Sequence, residues 1–227
     1  MILAIDGPSA SGKTTLGRML ARHLGLPLVD SGLMYRAITV LALEARIGPE
    51  DEEALAALAG ETTFEVNTSV DDRPDWEVRV DGRDLTSAIF EAAITPALTR
   101  ISQVAGVRKE LVQQQRNYGR HGVVMVGRDI GTVVFQDADL KIFVTASEEE
   151  RKRRRSLQMR DDDHAVLKGE IADRDAADSG RLIAPLRPAE DAHTIDTDGR
   201  SAQDVFEEIL RLIPSSRPGS PIQPGPG

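Results

Sequence analysis

The stretch Gly7-Pro8-Ser9-Ala10-Ser11-Gly12-Lys13-Thr14-Thr15 satisfies the pattern G-x-x-x-x-G-K-[ST], and its flanks supply the context that the pattern needs. The apolar run Ile2-Leu3-Ala4-Ile5 before it reads as a strand. After it, Leu16, Met19, Leu20 and Leu24 recur at helical spacing, with Lys13 in the first turn. A strand, a glycine-rich turn and a helix in this order gather successive backbone N–H groups into one concavity. The positive end of the helix dipole faces the same spot. Gly7, Pro8, Ser9, Ala10, Ser11, Gly12, Lys13, Thr14 and Thr15 are therefore candidates for cradling a polyphosphate. In this arrangement Lys13 reaches the β- and γ-phosphates as a point charge, and the Thr14 hydroxyl enters a Mg²⁺ coordination shell.

Moving outward, Gly25 stops the first helix, and Leu26-Pro27-Leu28-Val29 reads as a second short strand that ends at Asp30-Ser31-Gly32. A helix follows over about 33–45 and another over about 52–59. Strand, helix, strand, helix predicts an α/β fold of three layers, with helices on both faces of a parallel sheet and ligands at the carboxyl ends of the strands. Over about 62–84 the period changes to alternation, in Phe64-Glu65-Val66 and in Trp76-Glu77-Val78-Arg79-Val80, with the turn Asp81-Gly82 behind it. This predicts a small antiparallel β insertion outside the main sheet.

Helical periodicity resumes as one helix over about 96–115, with Leu98, Ile101, Val104, Val107, Leu111 and Val112 as the buried stripe. Val123-Val124-Met125-Val126 is a continuous apolar run, as expected of a strand covered on both faces, and Leu140-Lys141-Ile142-Phe143-Val144 is another. Helices are predicted over about 148–159 and 166–178. A last strand at His193-Thr194-Ile195-Asp196 and a last helix over about 202–213 complete the pattern. From Pro214 the Pro/Gly/Ser-rich residues have little to bury and are expected to be disordered.

A length of 227 residues accommodates one sizeable core with an insertion. The net charge of −9 argues against a general nucleic-acid binder, which needs a basic surface. It leaves room for a small nucleotide held by local arginines. With no cysteine, disulfides, thiolate catalysis and sulfur-ligated metals are excluded. The four histidines, at 23, 121, 164 and 193, include no pair at metal-ligand spacing. No run approaches the ~18 apolar residues of a membrane span, and Asp6 cuts the N-terminal apolar run short. The expectation is a cytoplasmic protein with neither nucleic-acid nor membrane partners, and a monomer by default.

Several clusters place charge near the expected phosphate site. Ser31, Tyr35 and Arg36 stand at i, i+4 and i+5 along the first turns of the second helix. Arg174, Asp178 and Arg181 stand at i, i+4 and i+7, which by pattern alone equally describes a surface ion pair. The run Arg151-Lys152-Arg153-Arg154-Arg155 reads by pattern as a solvated face or a nuclear-type basic patch, and its acidic surroundings argue against the nucleic-acid version. Gly127-Arg128-Asp129 repeats Gly82-Arg83-Asp84, but only the later copy leaves a buried strand where α/β folds place ligand residues. No N-K-x-D base-reading motif occurs.

Together these blocks resemble the bacterial cytidylate kinases. The resemblance rests on Gly7-Pro8-Ser9-Ala10-Ser11-Gly12-Lys13, Asp30-Ser31-Gly32-x-x-Tyr35-Arg36, Ser102-Gln103-Val104-Ala105 with Val107-Arg108, Gly127 through Phe135, and Arg174-Asp175 through Pro185-Leu186. It runs in order over about 2–213. It implies a P-loop kinase domain over 1–213, with a core of 1–61, 94–150 and 182–213, an acceptor-binding β insertion at about 62–93 and a helical lid at about 151–181. The implied reaction moves the γ-phosphoryl group of ATP to CMP or dCMP with Mg²⁺.

By the same resemblance, Ser102, Arg108 and Asp129 look like the cytosine-recognising group, since cytosine offers an N4–H₂ donor to a carboxylate and ring acceptors to an arginine. Ser31, Arg174 and Asp178 look like sugar-side contacts, and Arg36, Arg128 and Arg181 like the clamp on the acceptor phosphate. Tyr35 would lie beside the nucleoside, and Arg154 would be a lid arginine reaching the phosphates. Lys13, Arg128, Arg181 and Arg154 would then carry catalysis. In one departure, Val126 stands where the family usually has an acidic residue, so a carboxylate toward the metal would come from Asp30 through water, or from Asp6. The residues alone also admit another small-substrate P-loop kinase, or a nucleotide-binding regulatory protein without catalysis.

Overall fold

The computed structural model describes residues 1–68, 76–158 and 186–214. Its strands in chain order are β1 (Ile2–Asp6), β2 (Leu28–Asp30), β3 (Phe64–Thr68), β4 (Trp76–Val80), β5 (Arg83–Asp84), β6 (Val123–Gly127), β7 (Leu140–Thr145) and β8 (His193–Asp196). The helices are α1 (Lys13–Leu24), α2 (Ser31–Glu44), α3 (Glu52–Glu61), α4 (Thr95–Ile101), α5 (Ala105–Tyr118), α6 (Glu148–Gln158) and, last, α7 (Ala202–Leu212).

Among the described residues, five strands form one parallel sheet in the order β2-β6-β1-β7-β8. β1 and β6 lie at its centre, and every residue of β6 is buried. That double burial is why Val123-Val124-Met125-Val126 reads as an unbroken apolar run. The chain leaves β1 toward β2 on one side and later returns past β1 to β7 on the other. The loops after β1 and β6 therefore open together at the carboxyl edge, where such a reversal leaves a crevice.

The small antiparallel sheet β3-β4-β5 stands apart from the main one, as the alternation predicts. Asp81 and Gly82 join β4 to β5 with φ of 49° and 78°, the left-handed pair that a two-residue hairpin of this twist requires. The sheet's inner residues Phe64, Val66, Val78 and Val80 share one apolar cluster with Met34 and Ile38 of α2, Leu55 of α3 and Leu111 of α5. A second cluster joins Leu16 and Leu20 of α1 to Leu3, Ile5, Val126, Val144 and Ile209.

The single helix expected over about 96–115 is two. α4 ends at Ile101 with Ser102 as its cap, Val104 is extended (φ −65°, ψ 118°), and α5 begins at Ala105. The predicted stripe is nonetheless buried along its whole length, because the break keeps both pieces on the same core. The Ser102 carbonyl released at the break accepts a hydrogen bond from Arg108 Nη1 at 3.2 Å. The helix expected over about 166–178 and the residues beyond 214 lie outside the described residues.

Candidate active site

The phosphate loop spans the gap between β1 and α1. Gly7 has φ of 147°, and a Cβ there would stand 2.1 Å from the Val144 carbonyl oxygen, so the loop can pass over β7 only with glycine. Lys13 is buried, and its ammonium donates to the Pro8 carbonyl at 2.5 Å, arching back over the loop. Thr14 Oγ1 donates to Asp30 Oδ2 at 3.2 Å, while Asp30 Oδ1 caps α2 by accepting from Gly32 N at 3.0 Å. Asp30, at the end of β2, thus puts a carboxylate beside the hydroxyl that follows Lys13.

Val126 lies in register with Asp30 and with Ile5, but its side chain is fully buried in the apolar cluster beneath α1. Its carbonyl accepts from Ser31 Oγ at 3.1 Å. Asp6 is also turned away from the loop that follows it. Its carboxylate accepts from the backbone N–H groups of Ile130 (2.8 Å) and Gly131 (2.7 Å). Burial pushes the Asp6 carboxyl up to about 6 against the pull of those two bonds; the Asp129 charge adds to the rise and Lys13 opposes it.

A cleft of about 710 Å³ joins the phosphate loop to a second wall. That wall carries Ser31, Tyr35, Arg36, Ser102, Arg108, Arg128 and Asp129, all of which line the cleft. Arg108 and Asp129, both buried, form an ion pair, and Arg108 also holds the Ser102 carbonyl. The Arg108 guanidinium lies over the Tyr35 ring, 5.7 Å from its centroid. Ser102, Arg108, Asp129 and Tyr35, from α2, the α4–α5 break, α5 and the β6 exit, therefore form one contact group. Arg36 donates to the Ile89 carbonyl at 2.8 Å. Of the 62–93 segment, Phe90 reaches the cleft, and the small sheet itself does not line it among the described residues. Arg174, Asp178 and Arg181, and the lid beyond 158, lie outside the described residues.

Arg154 on α6 sits at the phosphate loop. It donates to the Ser11 carbonyl (3.2 Å) and to the hydroxyl and carbonyl of Thr197 (2.9 and 2.7 Å), and it pairs with Glu150 at 2.7 Å. Glu150, flanked by Arg153 and Arg154, has its carboxyl lowered to about 2. Arg151, one turn earlier and buried, donates to the Ala146 carbonyl (3.2 Å) and the Ser9 carbonyl (3.4 Å). The basic run is thus a solvated face only in part. Sequence reading did not single out Asp6 for this role, nor Arg151, Thr197 or Arg200; the last two line the cleft just after β8. Their signal was position, since they too follow a strand of the main sheet at its carboxyl edge. The earlier Gly-Arg-Asp copy is structural: Arg83 makes a two-pronged pair with Glu44 at the end of α2.

The sequence matches the family model described as cytidylate kinase over residues 3–215. The chain belongs to the cytidylate kinase family. This cytidylate kinase family member is 44% identical over 216 residues to the bifunctional pantoate ligase/cytidylate kinase of Synechococcus sp. (strain JA-2-3B'a(2-13)), covering 93% of this chain and 40% of that protein. It is 41% identical over 216 residues to the cytidylate kinase of Geobacillus sp. (strain WCH70), covering 93% of this chain and 95% of that one. The chain thus spans about two fifths of the bifunctional relatives' length. The fold is shared with an uncharacterized protein from Eubacterium ventriosum ATCC 27560, at 12% identity and a TM-score of 0.50, over 94% of this chain and 97% of that one. Among the described residues, no helix is long and apolar enough to cross a membrane.

Proposed function

We propose that this chain transfers the γ-phosphoryl group of ATP to CMP or dCMP, giving ADP and CDP or dCDP. The observation that carries this reading is the contact group of Ser102, Arg108, Asp129 and Tyr35, which faces a phosphate loop across one cleft in a member of this family. A carboxylate and a guanidinium held side by side offer one acceptor and one fork of donors, which complements the amino group and ring acceptors of cytosine. The Tyr35 ring beneath the guanidinium holds that fork of donors in place beside the base.

The donor's phosphates would lie in the phosphate loop against Lys13 and the start of α1, with Arg154 beside them. Ser31 would stand on the sugar side of the acceptor, and Arg36 and Arg128 at its phosphate. Arg174, Asp178 and Arg181 keep the sugar and clamp roles that the family resemblance gives them. Little acid–base work is required, because the acceptor phosphate has a second pKa of ~6 and is already largely dianionic at neutral pH. The protein must align the two nucleotides in line, neutralise charge and exclude water.

Mg²⁺ fits the residues present. Among the described residues no cluster of three or more His, Cys, Asp or Glu could cage a metal. The Thr14 hydroxyl and the Asp30 carboxylate stand together beside the loop, which suits an ion that keeps most of its waters and leans on substrate phosphates. When bound, the ion would offset charge on the transferring group.

A kinase panel with ATP and CMP, dCMP, UMP or AMP, run with and without Mg²⁺, tests the reading. Preference for CMP or dCMP is expected. Equal rates with UMP and AMP would remove the cytidylate assignment, and ATP binding without any CDP formed would remove the catalytic one.

A further inference from the structure

We propose that Asp6 is a positioning residue for the acceptor end of the cleft: through the backbone N–H groups of Ile130 and Gly131 it fixes the segment that presents Arg128 and Asp129. The inference rests on the acceptor reading above. Asp6 immediately precedes Gly7, which by sequence assigns it to the phosphate loop. Its side chain serves the other loop instead. Oδ1 accepts from Ile130 N at 2.8 Å and Oδ2 from Gly131 N at 2.7 Å, so both oxygens are committed to residues more than a hundred positions away. The carboxylate is buried, so water is not at hand to replace a lost bond.

The grip falls on the two residues after Asp129. Asp129 is itself irregular (φ −146°, ψ 27°), and its carbonyl accepts from Val133 N and Val134 N at 2.9 and 3.3 Å in the π-helical turn Ile130–Val134. Its side chain reaches Arg108, which reaches the Ser102 carbonyl. A continuous set of bonds thus runs from Asp6 to the base-facing group. Gly131 is wedged on its other side as well. A Cβ there would stand 3.2 Å from Lys141 Cδ and 3.4 Å from Asp6 Oδ2, and Lys141 is held in turn by Asp191 and the Gln136 carbonyl. The residue that opens the phosphate loop therefore also anchors the loop that reads the acceptor. Donor and acceptor ends share one reference point, as alignment for in-line transfer demands.

Two variants test this. In Asp6→Asn, one carboxylate oxygen becomes an amide NH₂ that faces a backbone N–H. Gly131→Ala leaves Asp6 intact and crowds the residue it holds against the Lys141 side chain. Expected for both are at least tenfold faster amide exchange at Ile130 and its neighbours, a KM for CMP raised about tenfold, and a reduced preference for CMP over UMP. The Kd for a non-hydrolysable ATP analogue should stay within twofold. The proposal is overturned if exchange quickens while the KM for CMP stays within twofold. Parallel loss of ATP-analogue and CMP binding also overturns it, since Asp6 would then serve the phosphate loop. If the unmodified chain does not phosphorylate CMP, the acceptor reading fails on its own. The exchange measurement still decides the anchoring: unchanged protection at Ile130 and Gly131 in Asp6→Asn overturns it, and faster exchange supports it.

Discussion

Two buried charged residues beside the cleft are set for different tasks. Lys13 bends back to the Pro8 carbonyl, so its ammonium already lies along the concavity where phosphates would gather. Removing it should leave the apolar clusters untouched, because Lys13 belongs to none of them. Lys13→Ala is expected to lower kcat by 10²-fold or more, about 3 kcal/mol of transition-state stabilisation, with an unchanged urea midpoint. A kcat within threefold of the parent in steady-state assays would contradict the role given to Lys13. Asp6 carries a cost instead. Its carboxyl is raised from 3.8 to about 6, so between those values the folded state binds the proton that the unfolded chain has released. The contribution is therefore fully present below the unfolded value and is lost as pH rises through about 6, a change of about 3 kcal/mol. Asn at this position does not titrate. Urea unfolding at pH 4 and pH 7 should show the stability of the parent relative to Asp6→Asn falling by that order, and a flat difference would mean the shift is absent.

At the level of elements, α6 braces the phosphate loop. Arg151 and Arg154, one turn apart, hold the Ser9 and Ser11 carbonyls and so fix the backbone of the loop. Arg151→Ala should raise the KM for ATP about tenfold with the KM for CMP little changed, as initial rates at varied ATP and CMP would show; equal increases in both would point to a general loss of fold instead. Which elements were legible follows from how local their causes are. The strands announced themselves by apolar runs, the hairpin by Asp81-Gly82, and α2 by its apolar periodicity. The break at 102–104 did not, because neither proline nor glycine stands there and Val104 caps α5 with no side-chain bond. What stabilises it is a guanidinium six residues on, a contact no local period encodes. The same holds for the bonds from Asp6 to Ile130 and from Arg151 to Ser9, each made to a residue more than a hundred positions away. Ser31, Tyr35, Arg108 and Asp129 could be named in advance because each stands in a motif block and, apart from Arg108, near a strand end. That they would touch one another could not.

For the whole molecule, the two ends of the cleft belong to different apolar clusters. The α1 end is packed with Leu3, Ile5, Val144 and Ile209, whereas the α2 and α4 wall shares its interior with the small sheet and α5. The central strands join them, and the cleft of about 710 Å³ lies across the join. The phosphate loop lines one end of this cleft and Ser102, Arg108 and Asp129 line another part of it, so both substrates should be held at once. This predicts additive stabilisation. A ligand at about 100 times its Kd contributes about 2.7 kcal/mol, and for a chain of this size each kcal/mol raises Tm by roughly 2–4 °C. CMP alone and a non-hydrolysable ATP analogue alone should each raise Tm by about 5–10 °C, and the two together by nearly the sum. If both nucleotides instead competed for the phosphate loop, the combined shift would match the larger single one. Thermal unfolding in the presence of Mg²⁺ separates these outcomes, and Asp129→Ala sharpens the comparison. Losing the Asp129 carboxylate should abolish most of the CMP shift and leave the ATP-analogue shift in place, because Asp129 pairs with Arg108 on the second wall of the cleft.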